Sequence, residues 1–270
     1  MSIFDQKVIK YEMKPLSSLE KVFPDETPVY RMECQMLSGL WGETVSFQVA
    51  YTGDFVMRER LDVRVVSELA EHVHVRTVEM VPVGRATNGI VDDNYLKTTS
   101  GLYPDLLKDL KDGKVIVYSR QWRSLWVDVD ITNEIPAGEY EIELQLIKEG
   151  EVVCSAKQKV TVIGTELPKL DIMHTEWMHA DCLADYYHVE VFSEEHWKLL
   201  ENYFQEYVKR DCNMMLTPLF TSPLDTAIGL ERTTCQLIDV EVKDGEYVFG
   251  FEKLKRWIDL CKKCGIYKIP

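Results

Sequence analysis

"GTELPKLDIMHTEW", residues 164–177, is the stretch on which the fold turns. Before it, apolar residues recur at every second position; after it, they recur at every third or fourth. A period of two marks half-buried strands, and a period near 3.6 marks amphipathic helices. Gly164 and Pro168 punctuate the change. The segment 164–170 therefore reads as a linker between two domains, 1–165 and 166–270.

Upstream, "ETVSFQVA" (43–50) puts Val45, Phe47 and Val49 on one face. "LDVRVVS" (61–67), "HVHVRTVEM" (72–80), "SLWVDVDI" (124–131) and "YEIELQLI" (140–147) repeat the alternation, and "PAGEY" (136–140) and "KEGE" (148–151) supply turns. Short alternating strands with regular turns predict an antiparallel β-sandwich. The polar segment 85–109 reads as a long excursion packed by Tyr95, Leu102, Tyr103 and Leu106.

Downstream, "LDIMHTEW" (170–177) is a short apolar run that reads as a buried strand. "SEEHWKLLENYFQEYVKRD" (193–211) reads as a helix capped by Ser193, with Glu194 and Glu195 at the positive end of its dipole. Its apolar stripe is Trp197, Leu200, Phe204 and Val208. "NMMLTPLF" (213–220) predicts a second strand, stopped by Pro218. "CQLIDVEVKDGEYVFGF" (235–251) predicts a hairpin turning at Asp244-Gly245, a type I′ signal. In "EKLKRWIDLCKKCG" (252–265), Leu254, Trp257, Ile258 and Cys261 face inward and Gly265 stops the helix. "IYKI" (266–269) begins a third strand. Strands alternating with helices predict a parallel sheet, here the first part of a (β/α)8 barrel with strands 1–3 and helices 1–2. A full barrel takes ~250 residues; the segment after the linker is less than half of that, so the barrel is expected to be incomplete.

The 270 residues carry 45 acidic against 31 basic side chains, a formal net charge of -14. Such a chain repels nucleic acid on average. No secretory leader or membrane-length apolar run stands in it, so no membrane partner is expected. The seven cysteines are odd in number and irregularly spaced, which fits reduced thiols in a cytoplasmic protein.

"EWMHADCLADYY" (176–187) and "LTPLFTSPLDTAIGLERTTCQLIDVEVKDGEYVFGFEKLKRWI" (216–258) resemble the opening of the catalytic domain of glycoside hydrolase family 123. "GLYPDLL", "QWRSLWVDV" and "AGEYEIEL" resemble that family's N-terminal β-sandwich. The resemblance implies a sandwich followed by a (β/α)8 barrel, and release of β-linked N-acetylgalactosamine from glycans. It also implies substrate-assisted retention. In that scheme the sugar's 2-acetamido oxygen attacks the anomeric carbon, while an adjacent Asp-Glu pair orients the acetamido group and protonates the leaving oxygen. This is an exception to the scheme with two separate carboxylates, and it needs neither metal nor cofactor. The one Asp-Glu dipeptide, Asp25-Glu26 in "FPDETP", reads as an exposed turn bracketed by Pro24 and Pro28. The catalytic pair is therefore expected outside this chain, and the chain alone is expected to be inactive.

"HTEWMHADCLADYYH" (174–188) would leave the end of barrel strand 1 and form the first βα loop, on the catalytic rim. His179 and Asp181 are the candidates for sugar hydroxyl contacts. Trp177, Tyr186 and Tyr187 offer rings that either stack on a pyranose face or pack the barrel top. Thr217 falls on the same rim at the end of strand 2, and Arg232 comes next in the long loop. His174, Glu176, His179 and Asp181 have metal-ligand chemistry, but no second cluster completes a coordination sphere, so no metal is expected. Cys261 and Cys264 in "CKKC" read as packed and incidental thiols. Two readings from another class stay open: a non-catalytic carbohydrate-binding protein, and a β-sandwich interaction module. The expected partner is a glycan or small sugar, with a homo-oligomer a further way to cover the open barrel edge.

Overall fold

Alternation becomes sheet in the first of two units, Met1–Pro168 and Lys169–Pro270. The computed structural model describes residues 10–29, 36–55, 57–87, 89, 91, 93–168, 172–221, 226 and 228–268. Strands β1 (Lys10–Ser17), β2 (Met36–Trp41), β3 (Thr44–Asp54), β4 (Glu59–Val66), β5 (Val73–Val83), β6 (Gly101–Asp109), β7 (Lys114–Val117), β8 (Arg123–Asp130), β9 (Gly138–Lys148) and β10 (Glu151–Glu166) build the first unit. They form two five-stranded sheets, ordered β1-β3-β8-β5-β6 and β2-β10-β9-β4-β7. The inward residues meet in one core: Phe47, Val49, Leu125, Val127 and Val129 from one sheet, Leu61, Ile142, Leu144 and Leu146 from the other. Each is at most 1% exposed, so each contributes roughly 1.5–3 kcal/mol of burial.

Two expectations for this unit need correction. The second sheet is mixed, because β2 lies parallel to β10. No hairpin joins these two strands, so nothing in the connection forces them antiparallel. The segment 85–109 matches the expected packed excursion only in part. Its end is β6, an edge strand antiparallel to β5. Tyr103 packs edge-on against Phe23 at 5.7 Å, whereas Tyr95, Leu102 and Leu106 lie 47%, 51% and 57% exposed. Pro104 donates no hydrogen bond, and an edge strand tolerates it beside the register shift between Val78 and Met80. A chain of residues 1–168 is expected to fold alone with an all-β circular dichroism spectrum. An unfolded product would show that the sandwich depends on the second unit.

The second unit has its own core. Helices α1 (Ala180–Tyr187), α2 (Glu194–Val208) and α3 (Glu252–Cys264) accompany a hairpin of β11 (Asp239–Lys243) and β12 (Glu246–Gly250). Ser193 caps α2 by accepting the His196 N–H at 3.2 Å. Asp244 and Gly245 take φ of 54° and 85°, as a type I′ turn requires. Trp197, Leu200, Phe204, Met215, Leu237, Trp257, Cys261 and Ile266 form the buried centre. Trp257 is held edge-on by Phe204 at 5.0 Å and by Trp197 at 6.4 Å.

The three barrel strands are not regular strands among the described residues. Residues 170, 171 and 269 lie outside them. What remains is a single parallel bridge, Met214 to Lys268, with Met215 N–H donating to Lys268 O at 3.2 Å. Beside it, His174 O accepts the N–H groups of Asn213 and Met214 at 3.0 and 3.1 Å. A ladder fails to form because the Asn213 side chain takes its rungs. Its Oδ1 accepts the His174 N–H at 3.0 Å, and its Nδ2 donates to Ile172 O at 2.8 Å. Residues 172–177 are not buried either, since Ile172 and Met173 are 70% and 65% exposed. No helix among the described residues is long and apolar enough to cross a membrane.

Candidate functional site

Residues 174–188, read as a loop, contain the helix α1. It starts after His179, whose backbone is extended, and places Asp181 in its first turn, where the helix dipole favours a negative charge. Asp181 is only 6% exposed, and a buried carboxylate needs a partner. Arg232 provides it with a two-pronged grip. Its Nε donates to Oδ2 at 2.5 Å and its Nη2 to Oδ1 at 2.9 Å. One helical turn on, the Thr233 hydroxyl donates to Asp185 at 2.8 Å. Asp181 and Asp185 are four apart and share a face, so the loop 232–235 docks along α1.

Cys235 lies beneath this pair, and its N–H donates to Thr221 Oγ1 at 3.0 Å. Burial, reinforced by the nearby Asp181 carboxylate, pushes its thiol up to about 12. It is a packed group, not a nucleophile. Cys261 is buried likewise, its thiol raised to about 12 by burial, and the half-buried Cys264 is raised in the same direction by the same cause.

His196 anchors the helix start from below. Phe192 N–H donates to its Nδ1 at 2.9 Å, so the ring proton sits on Nε2, which reaches Ala180 O at 2.9 Å. Burial holds its pKa below the usual 6.5. The folded state binds the proton less readily than the unfolded one. The resulting stability is therefore complete above about pH 6.5 and is lost as pH falls from there through the folded value. Between pH 7.5 and 5.5 the urea midpoint, read by tryptophan fluorescence, is expected to drop further for the natural chain than for His196→Gln. Equal drops would show that His196 does not titrate on unfolding.

These elements enclose a cavity of about 160 Å³. Trp177, His179, Asp181, Thr217 and Arg232 all line it, from segments far apart in sequence. Trp177 and Phe220, 65% and 55% exposed, stand at its mouth; Met178, Ala180 and Cys235 are buried beneath. Tyr187 is elsewhere: its hydroxyl meets that of Tyr203 at 3.1 Å and its ring stands edge-on to Tyr186. Sequence reasoning passed over Phe220, although it sits just after Thr217 and Pro218 in the same loop. Among the described residues no cluster of three or more His, Cys, Asp and Glu side chains is arranged to hold a metal. The cavity offers charged and hydroxyl hydrogen-bonding groups and two exposed rings, the chemistry that recognises a sugar's hydroxyls and its apolar face. Asp25 and Glu26 lie in the first unit, where Lys97 Nζ binds their carboxylates at 3.3 and 2.6 Å.

Residues 177–269 match the family described as glycoside hydrolase 123, catalytic domain. A structure of a family 123 glycoside hydrolase from Clostridium perfringens, described in terms of glycolipid glycan hydrolysis, superposes with a TM-score of 0.68 at 13% identity. The match covers 96% of this chain and 46% of that one, so the chain spans about half the length of this relative. A β-glucosidase from Listeria innocua matches at a TM-score of 0.27 and 10% identity, over 59% of this chain and 17% of that one. The N-terminal domain of PorA gives 0.27 and 11%, over 54% and 99%. Neither bears on the fold. No curated protein matches the sequence. The sequence of 177–269 is thus similar to a glycoside hydrolase 123 catalytic domain, and the fold is similar to that of a family 123 enzyme. Both likenesses point to family 123 and mark the chain as similar to its members.

Proposed function

We propose that this chain carries the sandwich and the opening, sugar-contacting part of a glycoside hydrolase acting on β-linked N-acetylhexosamine glycans, of the N-acetylgalactosamine type. In this reading the segments 172–177, 213–217 and 266–268 are the first three strand positions of a (β/α)8 barrel. The reaction is substrate-assisted retention, and its Asp-Glu pair lies outside these 270 residues. One observation supports it above the rest. The cavity of Trp177, His179, Asp181, Thr217 and Arg232 lies just past the C-terminal ends of two of those segments, where active sites of this barrel gather. The six described cysteines are free thiols, which supports a reducing, cytoplasmic setting.

Within this site Arg232 orients Asp181, and the buried pair sets the polar floor on which sugar hydroxyls are read. Trp177 offers a ring face at the mouth. Titration with N-acetylgalactosamine, followed by tryptophan fluorescence, is expected to show saturable binding. Trp177→Ala is expected to weaken it about fivefold, the scale of one ring contact. Absence of binding, or full affinity in Trp177→Ala, would refute the assignment.

A further inference from the structure

A second cavity, of about 370 Å³, opens in the sandwich where its two sheets end on β6 and β7. Its lining reverses the sign of the chain. Arg60, Lys108, Lys111, Lys114 and Arg123 face Glu79 and Asp109 there, in a chain of net charge -14. Arg60 is held by Asp112 at 2.9 Å and Lys114 by Asp62 at 3.3 Å. Among the described residues no carboxylate comes within ion-pair distance of Lys108, Lys111 or Arg123. The acid nearest in role, Glu79, already accepts the Thr77 hydroxyl at 2.7 Å.

Arg123 offers more than its charge. Its guanidinium lies 5.0 Å from the centre of the Tyr118 ring, and its Nη2 donates to Gln121 Oε1 at 3.1 Å. Its Nε is buried and has no acceptor. A buried N–H without an acceptor is costly, and such groups in native proteins mark a missing ligand, water or function. Lysines on edge strands are also a common guard against edge-to-edge pairing, which accounts for Lys108, Lys111 and Lys114 but not for Arg123. Tyr51, 3% exposed, also lines the cavity; burial raises its pKa, so it stays protonated, and its hydroxyl donates to Ile116 O at 3.4 Å.

We propose that this cavity binds the anionic group of a sugar residue, a sulfate ester or a carboxylate, with Lys108, Lys111 and Arg123 as its ligands. The sugar half of this inference rests on the glycan reading above; the anion half does not. It makes the sandwich a recognition module for acidic glycans, separate from the Trp177 cavity. The full chain is titrated calorimetrically with N-acetylgalactosamine 6-sulfate, glucuronic acid, unsulfated N-acetylgalactosamine and inorganic sulfate. At least one acidic sugar is expected to bind about tenfold tighter than the neutral one, and to weaken as salt rises. The exposed double variant Lys108→Gln/Lys111→Gln is expected to lose about fivefold or more of that affinity, one or two charge-assisted contacts' worth. Trp177→Ala is expected to weaken the neutral sugar while the acidic sugar still binds more tightly than the neutral one. Unchanged affinity in the double variant, no preference for either acidic sugar, or inorganic sulfate binding as tightly as the acidic sugars would each overturn the proposal. Failure of the neutral sugar alone would refute the Trp177 site and leave this one standing.

Discussion

Incubated with an aryl N-acetyl-β-galactosaminide, this chain is expected to release no aglycone above the uncatalysed rate. A positioned general acid contributes roughly 10²–10⁴-fold, and the carboxylates and the thiol around the Trp177 cavity are not placed to be one. Asp181 is gripped by Arg232 through both oxygens and accepts rather than donates. Asp185 is occupied by the Thr233 hydroxyl. Cys235 keeps its proton far above neutral pH because it is buried. The one Asp-Glu dipeptide is bound by Lys97 in the sandwich unit. Neutral-sugar binding without turnover is therefore the signature expected of the chain. Turnover within a few fold of a full-length relative, abolished by changing a cavity residue, would sink this. It would mean that a carboxylate here is freed when sugar binds. Binding without turnover by a longer chain that includes an in-frame Asp-Glu pair would instead favour a non-catalytic carbohydrate-binding protein.

The same physics decides which features were readable before the structure. Strands β3, β4, β8 and β9 announced themselves because their alternation runs on in one phase; β5 did so through two shorter stretches, its phase shifting between Val75 and Val78. β10 did not, because Gln158 sits at an inward position, 4% exposed, between Ala156 and Val160. β6 was hidden by Pro104, and β7 is only four residues long. Helices α2 and α3 carry their stripes and stop signals in plain order, whereas α1 is a short helix dense in residues that also suit a loop. The run 170–177 looked like a strand from its apolar content. What residues 172–177 become depends on one side chain, Asn213, some forty residues away. Thr217 was legible because it comes directly after the apolar run 214–216, and Trp177 and His179 because they stand just ahead of the Asp-rich segment that becomes α1. Tyr187, six residues after Asp181, is turned about 240° away on a helix. The Asp181–Arg232 pair and the His196 anchor could not be read at all, since their partners are distant in sequence and nothing local marks them.

Asp181→Ala is expected to cost about 3–5 kcal/mol in the second unit, the range for breaking a buried ion pair by removing one partner. Domain stability is only ~5–15 kcal/mol, so this change brings 172–268 close to unfolding at room temperature while leaving the sandwich intact. The cost arises mainly from the Arg232 guanidinium, whose side chain is 11% exposed and loses the carboxylate facing it. Thr233 and Asp185 cannot take up the load, because they fix the next turn of α1 and not the guanidinium. The double replacement Asp181→Leu/Arg232→Met removes both charges together and is expected to cost well under the single change, since an apolar pair of similar volume has nothing left to desolvate. Urea unfolding read through Trp197 and Trp257, with the sandwich followed by far-ultraviolet circular dichroism, separates the two units. If the single and double variants lose equal stability, the pair is not what holds the loop 232–235 to α1. If the double variant is stable yet no longer binds N-acetylgalactosamine, the pair is kept for recognition, and its burial is the means by which a fixed, charged floor is presented to the sugar.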